Sequence, residues 1–130
     1  MVVIDASAVA EILLRTTRGR EVSNQLLREG SEIWTPHLLD LEVLQVLRRH
    51  TRRGALTAEE ARAAVADLAE FPVRRHRHDL LLERVWSLRE NATAYDATYL
   101  ALAEALDAPL LTCDRALARV PGVAAEVRVI

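Results

Sequence analysis

Lysine is absent from this sequence; all 17 basic residues are arginine. That absence excludes two chemistries. A P-loop needs its lysine to reach phosphates, and a Schiff base needs a primary amine. Cysteine is nearly absent as well, with Cys113 alone. One cysteine makes no intrachain disulfide, so a reducing, cytoplasmic compartment is expected. Cys113 lies in an apolar run with no base partner in its local sequence, which reads as core packing rather than a nucleophile. Long apolar runs are missing too: none approaches the ~20 residues that span a bilayer. Asp5 and Glu11 interrupt what would be the apolar segment of a secretion signal. Neither a membrane span nor an exported chain is expected.

What is present is an ordinary globular composition. The 130 residues are 51% hydrophobic and 28% charged, with a net charge of −2. A chain of this length is expected to form one domain, residues 1–130, and to bury a core without disulfides or a structural metal. The charge balance does not announce a nucleic-acid binder.

Strand-like and helix-like segments alternate. Residues 2–4 (VVI) read as a strand, followed by a helix from Ser7 to about Thr16 with Ser7 as its N-cap. A helix over Arg20 to Glu29 ends at Gly30, and "EIWT" at 32–35 reads as a strand. Thr35-Pro36 then reads as a helix opening, cap followed by proline, with the helix running to about Arg53 and stopped by Gly54. Thr57 and Glu60 form a capping box for the next helix, which ends before Pro72. "VRR" at 73–75 is a further strand, and helices follow over 79–90 and from about Thr93 to Leu106. "PLLTC" is a strand, a short helix follows Asp114, and "VRVI" closes the chain as a strand. This alternation predicts an α/β fold with a mostly parallel sheet and helices on both faces. Ligands in such sheets gather at the carboxyl ends of the strands, near the point where strand order reverses. Asp5 and Asp114 both fall at that edge.

Most of the 19 acidic residues are expected on the surface, so the informative ones are those in costly places. Asp5 and Asp114 each follow an apolar strand directly, where each also reads as a helix N-cap. Glu42 has Leu38, Leu39, Gln45 and Val46 three and four residues away on its helix. A carboxylate among such neighbours is costly unless something compensates it, so Glu42 rather than Asp40 reads as the functional acid, with a rim salt bridge as the alternative. Asp40 is explained by its place in the first helical turn. Asp96 also sits early in a helix, between Tyr95 and Tyr99, which read as packing. Four such carboxylates from four segments repel one another, and a divalent cation resolves that. Oxygen ligands favour magnesium or manganese over zinc. His76 and His78 fall in the charge run "RRHRHD", expected as a solvated loop, and nothing requires His37. The natural substrate of an acidic, metal-holding pocket is a phosphodiester, hydrolysed by metal-activated water without a nucleophilic Ser or Cys.

"VVIDASA", "PHLLDLEVLQVLRR", "TAYDATYLALAEAL" and "LLTCDRAL" together resemble the PIN-domain ribonucleases, and most of all the VapC toxins of VapBC toxin–antitoxin pairs. The resemblance runs from residue 2 to about residue 117. It implies a Rossmann-like α/β/α sandwich and a Mg2+- or Mn2+-dependent endoribonuclease that inhibits translation and growth. It implies an acidic quartet of Asp5, Glu42, Asp96 and Asp114. Asp5 and Asp96 would touch the metal, with Glu42 and Asp114 acting directly or through water. Ser7, Thr112 and Asn91 match supporting polar positions. The resemblance also implies a homodimer and a cognate VapB-type antitoxin that blocks the site. Arg48, Arg49, Arg52 and Arg53 are candidates for RNA phosphate contact, although their place at a helix C-terminus also suits the helix dipole. The other functions weighed are a PIN-like nuclease in RNA processing without an antitoxin, and a non-catalytic RNA- or protein-binding module. A phosphatase or receiver domain lacks its second acid at Ser7 and its lysine.

Overall fold

A computed structural model describes residues 1–30 and 32–130 of the chain. Among the described residues, five parallel strands form one sheet in the order β3-β2-β1-β4-β5. They are β1 Val2–Ile4, β2 Ile33–Pro36, β3 Arg74–His76, β4 Leu110–Thr112 and β5 Val127–Val129. The register pairs Val3 with Trp34 on one side and with Leu110 on the other. The chain builds outward from β1 to β3, then returns to lay β4 against the free side of β1. That reversal puts the switch point between β1 and β4, where the sheet opens a crevice at its carboxyl edge.

The helices are α1 Ala6–Leu13, α2 Thr17–Glu29, α3 Leu39–Arg52, α4 Ala58–Ala69, α5 Leu82–Ser87 and α6 Ala94–Ala105. Helices α1 to α4 pack as one group and α5 and α6 as another, the arrangement expected when right-handed crossovers run to opposite sides of β1. Helix α6 lies against β1, β2 and β4, while α1 packs on α2, α3 and β4. The core is the meeting of these layers: Val2, Val3, Ile4, Leu110 and Leu111 of the sheet are at most 1% exposed. Both faces of β1 are covered, so the strand is apolar throughout rather than alternating.

The fold class agrees with expectation, and several boundaries are corrected. The N-cap of α1 is Asp5, whose side chain accepts from the Ala8 N–H, and not Ser7. Helix α2 begins earlier than Arg20, capped by Thr16. Pro36 does not open α3; it is the last residue of β2, and α3 starts at Leu39 with no side-chain cap. The fixed φ of proline, about −65°, is compatible with extended backbone as well as with a helix start, so the residue type alone does not mark a helix opening. The helix expected over 79–90 is a 3-10 turn, Asp79–Leu81, followed by the short α5. Strand β3 is shifted by one residue, so His76 belongs to the sheet and stands against Trp34 rather than in a solvated loop. The Thr57–Glu60 capping box is present with both reciprocal hydrogen bonds, at 3.1 and 2.8 Å.

Candidate active site

Asp5 leaves β1 and caps α1 in one step, so its carboxyl group lies inside the crevice at 4% exposure. Two hydroxyls hold it. Thr112 Oγ1 donates to Oδ2 at 2.6 Å, and the Ser7 hydroxyl lies 2.7 and 2.9 Å from the two oxygens. Each hydroxyl is itself tied to the end of β4. Ser7 Oγ accepts from the Cys113 N–H and Thr112 Oγ1 from the Asp114 N–H, both at 2.9 Å. These bonds favour the ionised form. Burial opposes them and wins, so the Asp5 carboxyl titrates above the ordinary aspartate range, with Asp114 adding repulsion.

Glu42 comes from α3, where Gln45, Val46 and Arg49 share its face at spacings of three, four and seven. It is half-buried, and the Tyr99 phenol donates to Oε2 at 2.7 Å. Burial raises its pKa against that bond, and Asp96 and Asp5 raise it further. Asp96 sits in the first turn of α6, whose N-cap Thr93 accepts from the Asp96 N–H. Its pKa is raised as well, by burial first and then by Asp114. Asp114 is exposed at the rim, where Oδ1 accepts from the Ala116 N–H at 2.8 Å. The turn-capping and cleft-facing roles of Asp114 are therefore compatible.

All four acids line one cleft of about 580 Å3, together with Ser7, Gln45, Arg49, Tyr95 and Tyr99. Leu38, Leu41 and Val46 form its apolar wall. Of the four arginines singled out on α3, only Arg49 reaches the lining; Arg48, Arg52 and Arg53 are exposed beyond it. Asn91 is exposed in the turn before α6 and does not line the cleft. His37 also stays outside, with its ring edge-on to His78. Asp40 points away and forms a two-pronged pair with Arg75 at 2.8 and 2.9 Å, so a specific ion pair explains it better than the helix dipole alone. Cys113 is half-buried against the core, and its thiol is pushed up to about 11 by burial and by Asp5, which makes it a poor nucleophile.

Tyr99 is the site residue that sequence reasoning missed. It is 2% exposed, as packing would require, yet its hydroxyl carries the hydrogen bond that Glu42 needs. Burial, reinforced by Glu42, holds the phenol protonated, well above its ordinary range. A signal was available: Tyr99 stands three residues after Asp96, one helical turn along the same face.

The donor set suits a hard divalent cation, since every candidate ligand is a carboxylate oxygen. Among the described residues, no three His, Cys, Asp or Glu side chains stand in a ready-made ligating group. Magnesium does not need one, because it keeps several waters and takes only one or two carboxylates. Asp5 retains an acceptor site for it, because the single Ser7 proton serves one oxygen at a time. The residues fit the group.

A family model described as PIN domain matches residues 2–123. The chain is 43% identical over 129 residues to Ribonuclease VapC1 of Mycobacterium tuberculosis, covering 98% of this chain and 96% of that protein. It is 35% identical over 130 residues to Ribonuclease VapC12 of the same organism, covering 100% and 99%. Among solved structures it resembles PAE2754 from Pyrobaculum aerophilum, with a TM-score of 0.67, 25% identity, and 97% and 82% of the two chains covered. It also resembles Mycobacterium tuberculosis VapC20, described as a Sarcin-Ricin loop cleaving toxin. That likeness is of fold, with a TM-score of 0.70, 18% identity, and 95% and 97% covered. The order of the sheet and the full-length kinship with these ribonucleases agree, and the chain belongs to the PIN-domain family, alongside the VapC ribonucleases.

Proposed function

We propose that this protein is an endoribonuclease that hydrolyses RNA phosphodiester bonds with Mg2+, for which Mn2+ substitutes, and that it is the toxin of a toxin–antitoxin pair. The observation that carries this reading is the convergence of Asp5, Glu42, Asp96 and Asp114 on one cleft at the switch point of the sheet. The kinship with proteins named Ribonuclease VapC supports it.

The residues divide the work. Asp5 and Asp96 would hold the cation directly, with Glu42 and Asp114 contributing directly or through water. A bound cation would offset the carboxylate repulsion and supply Lewis-acid stabilisation of the phosphate and a lowered pKa for an attacking water. Thr112 at the end of β4 and Ser7 in the first turn of α1 keep the Asp5 oxygens in place. Arg49 offers a positive contact for a phosphate of the substrate at the lining of the cleft. Attack by water breaks the bond to the 3′ oxygen and leaves a 5′ phosphate and a 3′ hydroxyl.

The same reading carries a VapB-type antitoxin and a homodimer as partners. Exposed Leu41 and Trp86, at 69% and 68%, are apolar surface that such partners would cover. The decisive experiment is mapping of cleavage ends on total RNA after induced expression, with Asp5→Asn and Asp96→Asn as controls. New 5′-phosphate ends are expected with the natural sequence, and a loss of at least about 100-fold in each variant. Full activity in either variant, or in excess chelator, would sink the mechanism.

A further inference from the structure

Besides Ser7, the acidic cleft contains a neutral side chain whose hydroxyl is committed to one of its acids. Tyr99 is 2% exposed, and its phenol donates to Glu42 Oε2 at 2.7 Å across 57 residues of sequence. The backbone of Ala6 also lies near the phenol. Ala6 is the residue after Asp5, and Asp96 lies one turn earlier on the helix that carries Tyr99. One hydroxyl therefore meets the segment of Asp5, the side chain of Glu42 and the helix of Asp96.

Packing alone does not ask for that hydroxyl. A phenylalanine would fill the same volume, and a buried hydroxyl costs free energy unless it is bonded. Glu42 gains the most from the contact. Its helix has no side-chain cap, its immediate wall of Leu38, Leu41 and Val46 is apolar, and Tyr99 is the neutral donor the structure gives it. A glutamate has three side-chain torsions, and a hydrogen bond to one oxygen removes most of that freedom.

We propose that Tyr99 is a positioning residue: by holding Oε2 of Glu42 it leaves Oε1 aimed into the cleft as the oxygen that receives the divalent cation or one of its waters. This rests on the metal-dependent reading above and assigns a role within it that no acid of the quartet supplies. Tyr99 touches neither the RNA nor the cation.

The test is Tyr99→Phe, measured on the full chain by Mn2+ titration with electron paramagnetic resonance, without RNA. The dissociation constant for Mn2+ is expected to rise roughly 3–10-fold, the net value of one ordinary hydrogen bond. In the Glu42→Gln background, which keeps an acceptor for the phenol but removes the charge, Tyr99→Phe is expected to change Mn2+ affinity by less than about 2-fold. Raising Mn2+ should restore the RNA-cleavage rate of Tyr99→Phe, which a packing defect would not allow. Wild-type Mn2+ affinity in Tyr99→Phe overturns the proposal, as does an equal loss in both backgrounds. Tyr99→Phe that melts before titration at 25 °C is replaced by Glu42→Gln alone, whose wild-type Mn2+ affinity would equally overturn it. No Mn2+ binding by the natural sequence would instead overturn the metal-dependent reading itself, and this proposal with it.

Discussion

Asp5 combines two roles that conflict energetically. As N-cap it stabilises α1, typically by ~1 kcal/mol, and as a buried carboxylate beside other acids it opposes folding when ionised. Its raised pKa decides the sign. Between the ordinary aspartate value of 3.8 and the raised one, the native state holds a proton that the unfolded chain has released. Stability of the metal-free protein therefore falls as pH rises through that window, and Glu42 and Asp96 act in the same direction. Asp5→Asn keeps a capping side chain and removes the charge. In chelator, its melting temperature is expected to exceed that of the natural sequence at neutral pH, by about 3–6 °C for each kcal/mol relieved. The gap should close toward pH 4 and narrow when Mn2+ is added, because a bound ion stabilises only the intact site. Thermal melts across pH with and without Mn2+ check this; a variant less stable than the natural sequence at every pH would refute it. At this scale the sequence showed Glu42 as an acid in need of compensation. It could not show that the compensation is a tyrosine 57 residues away, because only the packing of α6 against the sheet brings the two together.

The elements owe their positions to a few local devices, and the sharpest is Gly19. A Cβ placed there would stand 2.0 Å from the Glu11 carbonyl oxygen and 2.8 Å from the Ile12 nitrogen. These are backbone atoms of α1, so they cannot swing aside as a side-chain end would. Gly19 thus sets how closely α2 crosses α1, and α1 is the helix that starts at Asp5. Gly19→Ala is expected to destabilise the protein by at least ~2 kcal/mol through overpacking, read as a lower denaturation midpoint. Cleavage per folded molecule should survive, since Gly19 does not line the cleft. Helix starts were legible at Thr57 and Thr93, where the capping residue directly precedes the helical pattern. The side-chain caps Asp5 and Thr16 were placed two to four residues too late, because a second hydroxyl (Ser7) and a stretch without apolar side chains (17–19) follow them. The start of α3 was not legible, because Leu38 caps it without a side-chain bond and Pro36 serves the strand instead. The segment 79–90 broke into a 3-10 turn and α5 for a similar reason: its apolar residues mark a buried face, and nothing in their spacing marks the change of pitch.

For the whole molecule, the net charge is −2 and the cleft itself is acidic, so under the proposed function phosphate contact falls to arginines at the edge of the cleft. Arg49 lines the cleft, whereas Arg48, Arg52 and Arg53 stand outside it on exposed surface. Arg49→Ala is expected to weaken RNA binding and to reduce the slope of log K against log salt by ~0.7 for one lost single-strand phosphate contact. Arg52→Ala should leave that slope nearly unchanged. Filter binding of Asp5→Asn protein across salt concentrations measures both without cleavage. Equal slopes for Arg49→Ala and its parent would remove Arg49 from the RNA path.

By itself the sequence determined the alternation of strands and helices, the placement of Asp5 and Asp114 at strand ends, and the anomaly of Glu42. These are local properties: apolar runs, caps, and the spacing of neighbours on a helix. Only the tertiary structure decided the strand order, and with it that β1 and β4 are neighbours across the switch point. That adjacency lets Thr112 bind Asp5 from β4 and ties Ser7 of α1 to the Cys113 N–H at the end of β4. The packing of the helices brings Tyr99 to Glu42 and leaves Asn91 and three of the four arginines outside the cleft. The physical reason is the same in each case. A periodic pattern tells a residue which way it faces on its own element, but the partner it meets there is chosen by how the layers pack.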